Sequence, residues 1–507
     1  MPLQKPLALR LPPGFASNDT VYSSKGRWVD GHMVRWHQGV LSPIGGWRKL
    51  TRDPIEGRVS ALLPMIDNGG LKRVAAATYK DLYLLEGGSL QSITPDGYVP
   101  GRDVSSLGQG FGVGYYGQGT YGTPQEGAGV QLQATSWTLD TWGQTLVAMA
   151  DHEGVAYAWR PAEPEKPEPD DRAAPIDGAP KGRSLLVTQE FHMMIVGTGD
   201  GRSLAWSDRM DYNTWTPTLE NLAGTLTLQS EGDLMRGVQV GSSMLVLSDT
   251  DAFRVDYVGA QLVYGAQKVG KGCGLLAPGA VCAAQDFAVW MGRDGFYLYN
   301  GGVAPLACSV RDWVFRNINR RQLALVQSGL NSEYNEVWWL FPSGAGQVSN
   351  NRYVVWNYAD NVWYSGYLAR DAWHDKSSWD SPVAAAGGVL YEQELRLNDP
   401  LVTVDSRQAP WLKSAPFDLQ LGDRFLAVLS MVPDRDSNAL NALQHTFIGA
   451  SSPSTPTTTY GPYLPDADGF TNMRFTARQV SWLVETRTDV DWRLGTVRLD
   501  VRTGAGR

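Results

Sequence analysis

Phe287-Ala288-Val289-Trp290-Met291-Gly292-Arg293-Asp294-Gly295-Phe296-Tyr297-Leu298-Tyr299 reads as a strand, a tight turn and a returning strand, stopped by Asn300-Gly301-Gly302. Aliphatic and aromatic residues suit half-buried pleated backbone, while Gly and Asp supply the turn. The same hairpin recurs along the chain. Val74-Ala75-Ala76-Ala77-Thr78 returns as Leu82-Tyr83-Leu84-Leu85, and Leu146-Val147-Ala148-Met149-Ala150 returns as Val155-Ala156-Tyr157-Ala158-Trp159. Met193-Met194-Ile195-Val196 leads to Leu204-Ala205-Trp206, and Met244-Leu245-Val246-Leu247 to Phe253-Arg254-Val255-Asp256-Tyr257. Val337-Trp338-Trp339-Leu340-Phe341 precedes Tyr353 to Tyr358, and Ala384-Ala385-Ala386 precedes Val389-Leu390-Tyr391.

Equivalent aromatics on the returning strands are 47 residues apart from Trp159 to Trp206, 47 from Trp206 to Phe253 and 44 from Phe253 to Tyr297. That period is close to one propeller blade, about 40–50 residues. The wider interval of 76 from Tyr83 to Trp159 implies an insertion, and intervals of 59 to Trp356 and 35 to Tyr391 leave room for six or seven blades. The expected fold is all-β, a β-propeller, because a ring of small sheets packs face against face and leaves only short edges. A β-sandwich or β-solenoid with accidental spacing is the competing reading.

Composition agrees with many short strands: 507 residues include 56 Gly, 29 Pro, 19 Trp and 21 Tyr. A net charge of −8 argues against wrapping nucleic acid, which needs Lys and Arg to displace counterions. It suits a channel wall past which DNA slides. No run reaches the roughly 20 apolar residues of a membrane span. Pro2, Pro6, Pro12 and Pro13 interrupt the first residues, so no signal peptide is expected and synthesis is expected in the cytoplasm. Cys273, Cys282 and Cys308 lack CxxC spacing and read as reduced buried thiols, with one disulfide or a metal site as alternatives.

The hairpin series sets expected boundaries: an N-terminal segment at 1–50, propeller repeats at 51–398, and a β region at 399–507. Two insertions interrupt the repeats, at 100–135 and 160–182. The first contains GQGFGVGYYGQGTYGT from Gly108 to Thr123, either a flexible surface loop or a contact loop presenting Tyr115, Tyr116 and Tyr121. The second, rich in Pro and acidic residues, reads as an extended linker between blades. After 398 the pieces lengthen, and the end alternates from Val497 onward, giving a final strand that either closes the ring or completes a separate β-domain.

No catalytic constellation stands out. Asp208, Asp211, Asp294 and Asp360 sit in turn contexts where Asp caps backbone. The six histidines are scattered, and no GxSxG elbow, calcium loop or GxxxxGK[ST] occurs. Neither a catalytic group, a cofactor site nor a metal site is expected, and the chain reads as a non-enzyme.

Asn18-Asp19-Thr20-Val21-Tyr22-Ser23-Ser24-Lys25-Gly26-Arg27-Trp28, then Val34-Arg35-Trp36 and Pro43-Ile44-Gly45-Gly46-Trp47, resembles the opening of tail proteins from short-tailed bacteriophages. Trp206-Ser207-Asp208 with Asn213-Thr214-Trp215-Thr216-Pro217, Trp290 to Tyr297, Asn357-Tyr358 with Trp363, the Gly/Tyr insertion and the Leu494-Gly495 to Arg507 end resemble later parts of the same proteins. The resemblance covers most of the chain, its motifs are structural, and the acidic Pro-rich segment at 160–182 departs from it. It implies a β-propeller tail hub or nozzle subunit in the virion, arranged as a homohexameric ring below portal and adaptor proteins, meeting tail fibre or tip proteins and conducting double-stranded DNA.

For such a protein Arg27, Trp28, Arg35, Trp36 and Trp47 are the expected contacts of an N-terminal docking arm, since Trp and Arg dominate interface energetics. The alternative is that these tryptophans pack against their own propeller. As an arm, residues 1–50 would be removable without unfolding the subunit. A carbohydrate-binding propeller for host-surface recognition is the rival reading, and a propeller glycosidase or lyase a more distant one.

Overall fold

The computed structural model describes residues 7–20, 23–110, 125–164, 166–259, 261–397, 409–418, 425–437, 442–450, 456–466, 468–488 and 490–503. Each hairpin of the repeat belongs to a four-stranded antiparallel sheet, and seven such sheets form a closed β-propeller. Blade 1 is Val59–Ile66, Lys72–Thr78, Leu82–Glu86 and Ser89–Ser92. Blade 2 is Trp137–Trp142, Thr145–Ala150, Ala156–Trp159 and Ala174–Pro175. Blade 3 is Ser184–Val187, Met193–Thr198, Ser203–Trp206 and Gly224–Thr227; blade 4 is Leu234–Val240, Ser243–Ser248, Asp251–Gly259 and Val263–Lys271. Blade 5 is Val281–Ala283, Ala288–Met291, Phe296–Tyr299 and Val303–Leu306; blade 6 is Gln327–Asn331, Glu336–Phe341, Arg352–Asn357 and Val362–Tyr367. Blade 7 takes Ala372–His374, Val383–Ala386 and Val389–Leu395 from late in the chain and its outer strand, Gly46–Lys49, from the beginning. Neighbouring first strands touch all the way round, with that of blade 7 against that of blade 1.

The second strands explain why the repeat was visible. Thr145–Ala150, Met193–Thr198, Ser243–Ser248, Ala288–Met291 and Glu336–Phe341 are buried along their whole length. Each lies in a sheet covered on both faces by neighbouring blades, so it reads as a continuous apolar run without alternation. The aromatics used for spacing, from Tyr83 through Trp159, Trp206, Phe253, Tyr297 and Trp356 to Tyr391, all fall on third strands. Indole N–H groups tie elements together: Trp137 Nε1 donates to Thr78 O of blade 1 at 2.7 Å, and Trp373 Nε1 to Leu330 O of blade 6 at 3.0 Å.

Both chain ends build a second β unit. Leu7–Leu9 joins Val497–Thr503, Leu426–Val432 and Thr471–Ala477; Trp28–His32 joins Trp411–Ser414, Gln479–Thr486, Leu443–Ala450 and Thr458–Tyr463. A third sheet combines Val34–His37 and Val40–Pro43 with Trp492–Leu494 and Arg435–Ser437. The propeller is thus inserted within this unit, and one continuous apolar core runs from it into blades 4 to 7.

Two expectations change, and one open alternative is resolved. The described part of residues 1–50 forms no detached arm: its strands pair with the C-terminal region and with blade 7, because their apolar residues find cover there. Of the two roles expected for the final strand, closing the ring or completing a separate β-domain, Val497–Thr503 takes the second, and the ring is closed by Gly46–Lys49. The segment 160–182 is not a linker between blades alone: it follows the third strand of blade 2, supplies the fourth, Ala174–Pro175, and only its last residues lead on to blade 3.

Candidate functional site

The residues expected at a docking arm are mostly core. Trp28, Trp36 and Trp47 are buried, Trp28 beside Trp482 at 5.4 Å and Trp36 beside Phe15 and Tyr364 at 5.6 and 5.8 Å. Arg370 lies 4.6 Å over the Trp47 ring. Arg27 is half-buried, and its carbonyl accepts from Ala415 N. These side chains bind the chain to itself: Trp36 reaches Tyr364 of the propeller and Trp47 lies on its closing strand, as the alternative reading had it, whereas Trp28 packs inside the second unit. Tyr115, Tyr116 and Tyr121 lie outside the described residues.

Arg35 is 1% exposed and sits where the second unit meets blades 6 and 7. Its Nη1 donates to Glu394 Oε2 at 2.7 Å and its Nη2 to Glu336 Oε2 at 3.0 Å, while its guanidinium stacks 3.7 Å over Tyr334. Asn331 Nδ2, Trp338 Nε1 and the Tyr364 hydroxyl complete the set around Glu336, and Asn331 Nδ2 also reaches Glu394 at 3.0 Å. Burial opposes the charge on Arg35, yet the two carboxylates outweigh it and hold the pKa well above the ordinary value. Burial pushes Glu336 up, against Arg35 pulling it down.

The concave site lies on the other side. Call the propeller face bearing the turns between second and third strands the upper face. Two connections project there: the hairpin Ser106–Gly110 and Gln125–Leu132 between blades 1 and 2, and the segment with helix Arg311–Asn317 and the 3-10 turn Leu323–Leu325 between blades 5 and 6. Those junctions are on opposite sides of a seven-membered ring, and the two connections meet across it. Gln322 Oε1 accepts from Ser105 N at 2.9 Å while its Nε2 donates to Ser105 O at 2.8 Å. Gln131 Nε2 donates to Arg321 O, and Ala134 packs with Ala324 and Leu325. A strap therefore crosses the upper mouth of the axial channel.

Beside the strap is a cavity of about 490 Å3, with Met235, Leu275, Leu276, Ile318 and Leu323 on its apolar side. Its polar side carries Asp151, Arg183, Asp233, Asp249, Arg293 and Arg320. Arg183 Nη2 donates to Asp233 Oδ2 at 2.6 Å, and Arg293 Nη2 stands 3.9 Å from Asp249 Oδ2. Burial raises Asp151 to about 6, although the Ser136 N–H at 3.0 Å pulls the other way. Arg58, next to Asp103 at the same mouth, is lowered by burial. Apart from its place in the turn Asp151-His152-Glu153-Gly154, nothing in the sequence marks Asp151, and Gln322 carries no local pattern at all.

The four turn aspartates, Asp208, Asp211, Asp294 and Asp360, do not converge on one site. Asp208 Oδ1 accepts from Arg209 N and Leu222 N, Asp211 Oδ1 from Asn213 N, and Asp360 Oδ2 from Gly39 N. Asp294 lies in the second-to-third turn of blade 5, on the face opposite the other three. Among the described residues no group of three or more His, Cys, Asp or Glu is placed to hold a metal ion, and no helix is long and apolar enough to cross a membrane. The three cysteines are free, and burial raises the Cys282 thiol to about 12.

No family model matches the sequence, and no curated protein matches it. Similar solved structures include PorZ, described as an essential bacterial surface component of the type-IX secretion system of Porphyromonas gingivalis, at 11% identity and TM-score 0.35 over 75% of this chain. This chain spans 44% of that protein's length. The β-propeller domain of Myceliophteria thermophila Cps50 (Swd1) is 8% identical with TM-score 0.38, over 68% of this chain and 99% of that one. The AfRom2 CNH domain is 11% identical with TM-score 0.37, over 68% and 97%.

Proposed function

We propose that this chain is a structural, non-catalytic subunit of a short bacteriophage tail, a hub or nozzle protein that assembles six to a ring around the path of the ejected genome. The tail assignment comes from the resemblance of its N-terminal, Trp206, Trp290 and C-terminal stretches to such proteins. The observation that carries the structural role is the weaving of both chain ends into one β unit, fixed to blades 6 and 7 by the buried Arg35, Glu336 and Glu394. Two sheet-rich bodies locked at a hydrogen-bonded ionic joint make a rigid block, suited to transmit load through subunit contacts.

In this reading the genome path runs between subunits, since the strap crosses the propeller's own axis. Portal or adaptor proteins meet one end of the ring and fibre or tip proteins the other. Electron microscopy of particles with mass photometry of the purified chain tests it, with rings of six around a central passage as the expected result. A chain that is monomeric at all concentrations, is missing from particles and is retained on a glycan array would replace this reading with a carbohydrate-binding one.

A further inference from the structure

We infer that the cavity beside the strap binds an amphipathic organic anion, its carboxylate or phosphate head held by Arg293 and Arg320 and its apolar body lying along the strap. The site belongs to one subunit and needs no ring. Blade 2, the entry to blade 3, blades 4 and 5 and both halves of the strap contribute to the wall, so parts of the chain from Gln133 to Ala324 converge on about 490 Å3. That volume falls in the range of small-molecule sites, about 300–1,000 Å3, which combine a mostly apolar lining with a few placed polar groups.

The lining is of that kind. Met235 of blade 4, Leu275 and Leu276 at the entry to blade 5, and Phe315, Ile318 and Leu323 of the connection between blades 5 and 6 supply the apolar side. The charged groups are equal in number, three aspartates and three arginines, but unevenly satisfied. Arg183 is committed to the acids beside it: its Nη2 donates to Asp233 Oδ2 at 2.6 Å, and its charge also favours the ionised form of Asp151, which accepts the Ser136 N–H at 3.0 Å.

The other two arginines are not so committed. Arg293 is 70% exposed at its side chain and stands 3.9 Å from Asp249, beyond hydrogen-bond reach. Arg320 is exposed and, among the described residues, its side chain makes neither an ion pair nor a hydrogen bond. Two guanidinium forks thus face one loosely placed carboxylate. Their surroundings carry the same sign, since residues 311–321 hold four arginines and one aspartate in a chain whose net charge is −8. Arg311 Nε donates to Asp294 O and so ties this connection to the turn that carries Arg293. Open forks of this kind take carboxylate or phosphate oxygens in pairs. A neutral apolar ligand would leave them unfilled, whereas an anion with an apolar body uses both sides of the lining.

Isothermal titration calorimetry of the purified full chain with octanoate, octyl phosphate and neutral octanamide tests the site. At least one of the anions is expected to bind, one per chain and about tenfold or more tighter than octanamide, and the anion that does so identifies the head group. Arg293→Gln with Arg320→Gln should bring its affinity down to that of octanamide at an unchanged melting temperature, because exposed charges add little stability. Met235→Trp fills the apolar side and should weaken binding of the anion. Anions that bind no better than octanamide, or that bind the paired arginine variant as they bind wild type, overturn the proposal. Undiminished binding to Met235→Trp places the anion outside the cavity and also overturns it. So does a short DNA duplex that binds with the same dependence on both arginines while the octyl compounds do not, which would make this rim a phosphate-backbone contact.

Discussion

Arg35 joins parts of the chain 301 and 359 residues distant, through Glu336 and Glu394. Removing one partner from a buried ionic set strands the rest, so Arg35→Ala is expected to cost about 3–5 kcal/mol in chemical denaturation. Arg35→Lys should recover little, because one ammonium cannot reproduce the guanidinium's fork toward two carboxylates. A melting curve for Arg35→Lys equal to wild type would show that the charge alone suffices. Asp151 behaves in the opposite sense. Its folded pKa of about 6 lies above the 3.8 of an exposed aspartate, so the folded chain holds that proton more tightly. Its contribution is full below about pH 4 and is lost as pH rises through 6, a span of about 3 kcal/mol at about 1.4 kcal/mol per unit. Asp151→Asn keeps an oxygen for the Ser136 N–H and has no charge to bury. It should flatten stability between pH 4 and 7 and exceed wild type by about 2–3 kcal/mol at pH 8, measured by urea midpoints across that range. Neither residue's partners could be read locally, since sequence patterns report neighbours along the chain and these contacts are tertiary.

Gly46–Lys49 is the element on which ring closure turns. Lys49 pairs with Tyr391 and Arg48 with Glu392, so the two ends of the propeller are held by one short strand. Deleting residues 1–50 should therefore leave an open, insoluble propeller, where a docking arm would come away from a folded subunit. Circular dichroism and proteolysis of the truncated chain distinguish these outcomes, and a soluble, protease-resistant product would contradict closure by this strand. Gly329 tests packing between blades 6 and 7. A Cβ there would lie 2.2 Å from Trp373 Cδ1, under the indole that stacks on Trp338 at 5.1 Å. Gly329→Ala is expected to destabilise by about 1–3 kcal/mol, because neither ring has room to retreat. Second and third strands were legible because their apolar runs and aromatics are dictated by burial between blades. Fourth strands were not: Ser89–Ser92 and Ala174–Pro175 are largely exposed at the rim and carry no apolar period. Nothing local therefore marks the fourth strand of blade 2 within 160–182, nor the closing strand Gly46–Lys49, which comes from the other end of the chain.

At the scale of the whole molecule, the strap decides where a passage can be. A propeller has an axial channel, and a net charge of −8 would suit its wall to sliding DNA as well as it suits a larger ring. The reciprocal Ser105 and Gln322 hydrogen bonds and the Ala134, Ala324 and Leu325 contact join opposite sides of the mouth. Both Ser105 and Gln322 are buried, so the strap is held by satisfied polar groups and an apolar patch together. A duplex threading this axis would have to break that joint in every subunit, whereas one passing between subunits would leave it untouched. Joining Ser105→Cys and Gln322→Cys with a short bis-maleimide in assembled particles should therefore leave genome release at the uncrosslinked rate. Release that stops on crosslinking, and resumes when a cleavable linker is cut, would assign the passage to the propeller axis and make the strap its gate.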